Sequence, residues 1–447
     1  MNSQRGITHT FWIIILSLVP LVFLAFVLAS GMPVNPWFFL FFLLIYFFGI
    51  FYVLGSHGSH EKSGESTPEQ LSVKRVPENL ILKTVDVMVP LADYKVKNNY
   101  VIEGPLLLKS DAALEELQQR FAGTFFKPLL KESDAGRPML VLVPADALPI
   151  SKQKTGRPWI NLVLFLATFL TTTWAGAAYK GINLLEQPSQ FTAGLPYAAA
   201  LMFILAAHEL GHYFTARRYG MSVTLPYFIP LPFMLGTFGA FIRMKSLAPD
   251  RRAMFDVAVA GPLAGLAIAI PALLVGLQYS TIVPDTETPA LFMGGTDVGS
   301  SVLFAFLAKV ALGETVLEGH RLILHPVAFA GWLGLLVTAL NLVPVGQLDG
   351  GHLVHTLLGH KNAGVVSVVS LLALVVLGLF VWSGLLFWAL LIFFVAGTSD
   401  IPPLNDVTPL LRGRLVLGAV TFSLLLFILV PVPHALYASF GIHYPYV

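Results

Sequence analysis

The residues best suited to chemistry in this chain are His208-Glu209-Leu210-Gly211-His212. The spacing is H-E-x-x-H, and it has a physical reason. In a helix, residues i and i+4 lie one turn apart on the same face, so two imidazoles reach one metal ion. The glutamate beside the first histidine can accept the proton of an attacking water and hand it to a leaving amine. The chemistry implied is metal-assisted hydrolysis. The chain contains no cysteine. Thiolate zinc sites, disulfides and a cysteine nucleophile are therefore excluded, and any metal must be held by His, Asp or Glu.

A catalytic zinc takes three protein ligands and keeps a fourth position open. The outstanding candidate for the third ligand is Asp349, in Asn341-Leu342-Val343-Pro344-Val345-Gly346-Gln347-Leu348-Asp349-Gly350-Gly351-His352. Pro344 and Gly346 should interrupt a helix here, and unwound backbone at membrane depth is tolerated where it lines a wet cavity. Gly350-Gly351 is expected to let the chain turn sharply around the ligand. Asn341 has two readings: it contacts substrate backbone or polarises the scissile carbonyl, or it caps carbonyls freed around Pro344. Pro344 is grouped with the substrate-contacting residues. His352 and His355 read either as alternative or supporting ligands or as solvated interface histidines.

The elements that must position these residues are apolar. The chain has 447 residues, 56% hydrophobic and only 12% charged. That charged share is about half the usual one for soluble domains, and it points to a polytopic membrane protein. A net charge of +2 gives no reason to expect nucleic-acid binding. Apolar stretches of spanning length occur at about 11–30, 37–55, 158–178, 193–216, 253–277, 326–345, 364–381, 384–398 and 414–430. The 364–398 block splits at Trp382-Ser383-Gly384, because a single helix of that length would run about 50 Å against a core of ~30 Å. Nine spans follow.

With the amino terminus in the cytosol, the inner flanks hold Arg5, Arg217, Arg218, Arg243, Lys245, Arg251, Arg252, Lys361, Arg412 and Arg414. The outer loops hold only Lys180, Lys309 and Arg321, a positive-inside bias. The run Leu195–Ala207 before the histidines carries no charge. Ionisable groups at such depth are costly and functional by default. Arg217 lies roughly 14 Å along the helix from His208, so the site sits within the membrane but toward the cytosolic face.

Residues 56–157 differ in character, with 14 Lys and Arg. Gly55–Pro68 reads as a linker. Strand-like runs follow at Leu80–Val89 and Tyr100–Leu107, then a helix from Asp111 to Phe121 started by Ser110-Asp111, and a strand at Met139–Val143. This is a small α+β domain on the cytosolic side. It is read either as a substrate filter or regulator or as a plain spacer. The stretch 278–325 reads as an acidic outer loop.

HELGH in one span and N-x-x-P-x-x-x-x-D-G in a later one resemble the paired motifs of the site-2 protease family of intramembrane zinc metalloproteases. Phe228-x-Pro230-x-Pro232-x-x-x-Gly236-Thr237-Phe238-Gly239-Ala240 is similar to that family's membrane-dipping loop. Gly261-Pro262-Leu263-Ala264-Gly265 is similar to its small-residue packing motif. The resemblance covers roughly 158–360. It implies one Zn2+ per chain held by His208, His212 and Asp349, with Glu209 as catalytic glutamate. It also implies cleavage of membrane-anchored protein substrates near the cytosolic face. The 278–325 stretch is too short for a PDZ domain. The resemblance is thus to the PDZ-less chloroplast and cyanobacterial branch, although the GNLR motif of that branch is replaced by Ile102-Glu103-Gly104-Pro105-Leu106.

The expected fold is an α-helical polytopic membrane protein with about nine transmembrane helices, a site-2 protease-like core and a small α+β cytosolic domain. It divides into two amino-terminal helices (1–55), linker and α+β domain (56–157), metalloprotease core (158–360) and carboxy-terminal helices (361–447). The absence of a transit peptide favours a bacterial inner membrane. Gly236 and Gly239 either let an extended substrate pair with the dipping loop or only permit close packing. His57 and His60 read as incidental, and His320 and His325 fall on the outer face. The rival functions are a metal transporter, which predicts polar residues spread along a path, and a non-catalytic membrane chaperone, which the intact Glu209 disfavours.

Overall fold

Why a helix carries the two histidines is clear from its ends. The computed structural model describes residues 75–133, 136–147, 158–231, 235–284, 301–313, 320–380, 384–397 and 400–430. The expected spans at 11–30 and 37–55, the linker, His57 and His60 lie outside the described residues.

In the first part of the chain, α1 is a single turn, Glu78–Ile81. It is followed by β1 (Ala92–Val96), β2 (Asn99–Glu103), α2 (Ser110–Arg120), β3 (Phe126–Glu132) and β4 (Pro138–Pro144). The strands form an antiparallel sheet in the order β1-β2-β4-β3. α2 buries Ala113, Leu114 and Leu117 in a core with Ile102, Leu130, Leu140 and Leu142. The expected strand over Leu80–Val89 is not formed. Its apolar residues do not alternate: Leu80, Val87 and Met88 are buried while Leu82 and Val85 face outward. The segment is a helical turn and further turns, with one bridge from Met88 to Leu106. Two strands were not expected. β1 carries mixed residues on an edge, and β3 contains Pro128, which only an edge strand or bulge tolerates. Ser110 does not cap α2; its N-cap is Lys109 and no side chain bonds there.

The apolar part begins with α3 (Pro158–Tyr179). A 3₁₀ segment, Pro188–Gly194, leads into α4 (Leu195–Arg218), which holds both histidines and has Pro196 in its first turn. There the missing proline N–H is not needed. A hairpin of β5 (Tyr227–Pro230) and β6 (Thr237–Phe241) follows. α5 (Arg251–Gln278) is capped by Asp250, whose carboxylate accepts from Ala253 N at 2.7 Å. Next come β7 (Thr281–Pro284), α6 (Val302–Leu312) and β8 (His320–Ile323). The 278–325 stretch is therefore not a plain loop: β7 pairs with β8 and α6 packs on the core. α7 (Pro326–Leu342) is capped by His325, and it stops because Val343 precedes Pro344 and is held extended. Then come α8 (Asp349–Leu358), α9 (His360–Phe380), α10 (Gly384–Ala396) and α11 (Arg412–Leu429).

Among the described residues, five helices are long and apolar enough to cross a membrane: α3, α4 with its 3₁₀ lead, α5, α9 and α11. α7, with 17 residues, and α10, with 13, are shorter. The 364–398 block is two helices, packed through Leu374 and Leu385.

Lipid gives helices no hydrophobic reason to associate, so close packing of small residues must do it. Gly211 of α4 meets Ala260 and Ala264 of α5, Gly276 of α5 meets Ala328, and Gly331 of α7 meets Leu273. The hairpin is held by polar groups of α3 and α4. Asn161 Nδ2 donates to the carbonyls of Leu225 (3.0 Å) and Pro226 (2.9 Å), Thr171 Oγ1 to Gly236 (2.6 Å), and Tyr197 OH to Leu235 (2.9 Å).

The α+β domain is stitched to the core by residues 404–406. Leu130 N donates to Leu404 O at 2.9 Å, and Asp406 N to Leu130 O at 2.8 Å. On the other side Leu404 N donates to Ala248 O (2.9 Å) and Arg251 N to Asn405 O (3.1 Å). Asp111 of α2 accepts from Arg252, Asn405 and Thr408.

Candidate metal centre

The i, i+4 spacing does on α4 what the sequence implied. His208 Nε2 and His212 Nε2 lie 3.2 Å apart. Asp349, the first residue of α8, brings Oδ2 to 3.5 Å from His208 Nε2 and 3.3 Å from His212 Nε2. These three residues are the one group of metal-ligating side chains of this kind among the described residues. Tetrahedral ligands about 2.0–2.1 Å from a zinc ion stand roughly 3.3–3.4 Å from one another. The donor triangle therefore fits a zinc ion without rearrangement.

The second nitrogen of His212 shows how the ring is set. Its Nδ1 lies 2.8 Å from the Val257 carbonyl on α5. That contact makes Nδ1 the protonated nitrogen and leaves Nε2 free to ligate. Gly261 of α5 lies directly against the His212 ring, where a Cβ would overlap it, and a Cβ on Gly265 would come within 3.2 Å of His208 Nδ1. The Gly261–Gly265 motif therefore does more than bring helices together: it makes room for the two imidazole rings.

Asp349 reaches the histidines because the chain breaks after α7. Gly346 takes φ 49°, in the left-handed region that favours glycine. Gly350 and Gly351 do not form the expected turn. They lie inside α8, where a Cβ on either would strike the carbonyls of Leu342 or Gly346. The turn glycine is Gly346, and the pair lets α8 lie against the broken end of α7.

Glu209 is buried at 6% exposure, beside two histidines at 4% and 6%. The backbone of Ile242, just past β6, faces its carboxylate across the same cavity. His208, Glu209, His212, Asn341 and Asp349 line one cavity of about 440 Å³. Its far wall is the end of β6 and the chain after it, from Ala240 to Met244, with Ser246 to Ala248 beyond. Asn341 Nδ2 stands 3.2 Å from His208 Nε2, at the edge of the donor triangle. Gly236, Gly239 and Pro344 do not line the cavity. Gly236 packs on the backbone of Thr171 and Thr172, whereas Gly239 (φ 100°) has open space where a Cβ would be.

His355 is not a solvated histidine. It is fully buried between two aspartates, with Nδ1 2.8 Å from Asp400 Oδ2 and Nε2 2.9 Å from Asp406 Oδ2. His352 lines the cavity, with Nδ1 2.7 Å from Asp400 Oδ1. Sequence reasoning missed Asp400, Asp406, Val257 and Ile242. Two act through the backbone, which no residue type announces. The one signal for the aspartates is acidic charge placed just after an apolar run.

Comparison with known proteins agrees with this geometry. Residues 196–381 match the family model described as peptidase family M50. The chain is 35% identical over 304 residues to the probable zinc metalloprotease EGY1, chloroplastic, of Arabidopsis thaliana, covering 63% of this chain and 55% of that protein. It is 30% identical over 278 residues to the probable zinc metalloprotease EGY2, chloroplastic, of the same plant, covering 59% and 48%. With EGY3 of Oryza sativa subsp. indica, also named a probable zinc metalloprotease, identity is 31% over 259 residues, covering 55% and 43%. The chain spans about half the length of the curated relatives it matches. No solved structure matches. Residues 196–381 thus form a peptidase family M50 (site-2 protease) domain, and the chain is similar to the chloroplast-type zinc metalloproteases.

Proposed function

We propose that this chain is an intramembrane zinc metalloendopeptidase that cleaves membrane-anchored protein substrates near the cytosolic face. The observation that carries this reading is the donor triangle of His208, His212 and Asp349, with Glu209 beside it, on a helix of spanning length. When bound, zinc would polarise both the water and the scissile carbonyl. Glu209 would accept the proton of the attacking water and pass it to the leaving amine. Asn341, at the edge of the triangle, would hold the substrate carbonyl or its neighbouring backbone.

A helical substrate hides its carbonyls in hydrogen bonds and must unwind before attack. β6 is paired with β5 on one side, and its last residues Ala240 and Phe241, with the chain that follows to Met244, form the cavity wall. An extended substrate strand lying along that wall is the proposed mode. Gly239, with no neighbour at its Cβ position, suits such an approach. The placement of Gly236 favours the packing role for that residue, and Pro344 would act by breaking α7.

The proposed topology keeps nine spans, the amino terminus and the α+β domain in the cytosol, and a bacterial inner membrane as the location. The observation behind its orientation is that Arg251 and Arg252 of α5 contact Asp406 and Asp111, while Arg414 of α11 pairs with Asp256 beside Tyr219. The ends of three apolar helices and the domain thus share one positively charged side, the cytosolic side under the positive-inside rule. The curated relatives are named chloroplastic, so fractionation of the source cell is the test of compartment.

The reaction is tested with Glu209→Gln. Retained zinc and lost cleavage of a single-span reporter are expected. Equal cleavage by the variant and the parent protein would refute the peptidase reading.

A further inference from the structure

Five side chains form a line that runs from the docked α+β domain to the cavity. Arg251 Nε lies 3.1 Å from Asp406 Oδ1, and Asp406 Oδ2 lies 2.9 Å from His355 Nε2. His355 Nδ1 lies 2.8 Å from Asp400 Oδ2, and Asp400 Oδ1 lies 2.7 Å from His352 Nδ1. Asp406 and Asp400 are 3% and 5% exposed at their side chains, and His355 is at 0%. Asp406, His355 and Asp400 each use both side-chain polar atoms within the line, while Arg251 Nη2 has only an ion-pair approach to Glu132 at 3.6 Å. His352 ends it. Its contact with Asp400 is an ion-pair approach rather than a straight hydrogen bond. Its side chain is 22% exposed and lines the same cavity as Glu209, Asn341 and Asp349.

A clamp on α8 would need only His355. The carboxylate at Nδ1 takes that nitrogen's proton as its partner, which leaves Nε2 as the polar atom of His352 free for the cavity. No described residue hydrogen-bonds Nε2. His352 also lies three residues after Asp349, on the same face of α8, so its ring is on the metal side of the helix. Ionisable groups this far from bulk water call for a reason. An imidazole oriented from behind by a carboxylate and open in front is built to meet a substrate.

We propose that His352, oriented by Asp400, is a further catalytic residue that donates a hydrogen bond from Nε2–H to the carbonyl oxygen of the scissile peptide as negative charge develops there. This rests on the peptidase reading above. No proton is transferred in this step; the donor only stabilises charge, as an oxyanion-hole group does. The Nε2 proton needs a doubly protonated ring. Burial and the nearby His355 oppose that form, the Asp400 carboxylate at 2.7 Å and Asp349 favour it, and the ring's pKa is raised. Asp400 is a positioning residue, and Asp406 with Arg251 holds it in turn.

The chain has no cysteine, which permits a direct proximity test. His352→Cys in the full-length protein is combined with a single-span substrate carrying one cysteine at successive positions, with and without zinc. Disulfide cross-links are expected at the residues flanking the cleaved bond, in both conditions. Cross-links that are absent, or confined to distant positions, overturn the proposal even if other His352 variants fold poorly. In kinetics, His352→Ala should lower kcat by about 100-fold with KM and bound zinc unchanged. His352→Gln should regain part of the loss by supplying an amide donor. Asp400→Asn should cost about 10-fold. Full kcat in His352→Ala, alongside an inactive Glu209→Gln, overturns this inference alone. A parent protein that does not cleave, or an active Glu209→Gln, overturns the peptidase reading instead.

Discussion

Gly261→Ala is the sharpest perturbation the metal centre offers. The added Cβ would sit on the His212 ring, with Nε2, Cδ2 and Cε1 as its three nearest atoms. To regain ordinary carbon contact the ring would have to withdraw by roughly 1.5 Å. Zinc–ligand distances are held to about ±0.2 Å. Retreat is resisted, because His212 Nδ1 is fastened to the Val257 carbonyl at 2.8 Å on the same helix as Gly261. Separating α4 from α5 instead would pull Gly211 off Ala260 and Ala264. The expected result is a metal affinity lowered by at least 100-fold, beyond the usual effect of a change just outside the ligand set. The assay is zinc content and chelator competition on protein purified in micelles, with reporter cleavage measured in parallel. Gly265→Ala, whose Cβ would come within 3.2 Å of His208 Nδ1, should give a smaller loss, since a shift of a few tenths of an ångström relieves it. Gly364→Ala, with no atom within 4 Å, should bind zinc as the parent does. Zinc bound to Gly261→Ala at full stoichiometry and parental affinity would refute this account of the site.

Four further outcomes are expected. Asp349→Ala should lose bound zinc, whereas Glu209→Gln should keep it; loss in both would mean that Glu209 is needed for the metal itself. Asp406→Ala leaves Arg251 and His355 facing a gap in a buried network, at a cost of about 3–5 kcal/mol in denaturation of the micelle-bound protein. Asp111→Ala removes an acceptor whose side chain is 54% exposed, and should cost no more than about 1 kcal/mol; equal effects of the two would contradict the structure. The attachment of residues 400–406 should depend on pH. Asp400, in spite of burial, is pushed down to about 2 by His352 and His355. His355, in spite of burial, is pushed up to about 9 by Asp400 and Asp406. The Asp400 contribution is present above the ordinary carboxylate pKa and is lost as pH falls through about 2. The His355 contribution is complete below the ordinary histidine pKa and is lost as pH rises toward 9. Amide exchange in 400–406 should thus be slowest, after correction for intrinsic rates, at mildly acidic pH and should speed up through 7–9; His355→Gln should abolish that rise.

What the sequence determined by itself was local or periodic. The H-E-x-x-H spacing puts His208 and His212 on one helix face whatever surrounds them. The uncharged run before them sets their depth, and Val343-Pro344 ends α7 because a residue before proline resists helix. Asp349 could be nominated because intramembrane carboxylates are few. Strands failed where local signals mislead, as at Leu80–Val89, or where an edge tolerates Pro128. Only the tertiary structure decided the rest. It brings Asp349 Oδ2 within 3.5 Å of both histidines, sets Val257 behind His212, places Gly261 against the ligand ring, moves the turn from Gly350-Gly351 to Gly346 and buries His355 between Asp400 and Asp406. Each of these depends on backbone groups or on partners far apart along the chain, and helical spacing says nothing about which helix lies behind a ligand.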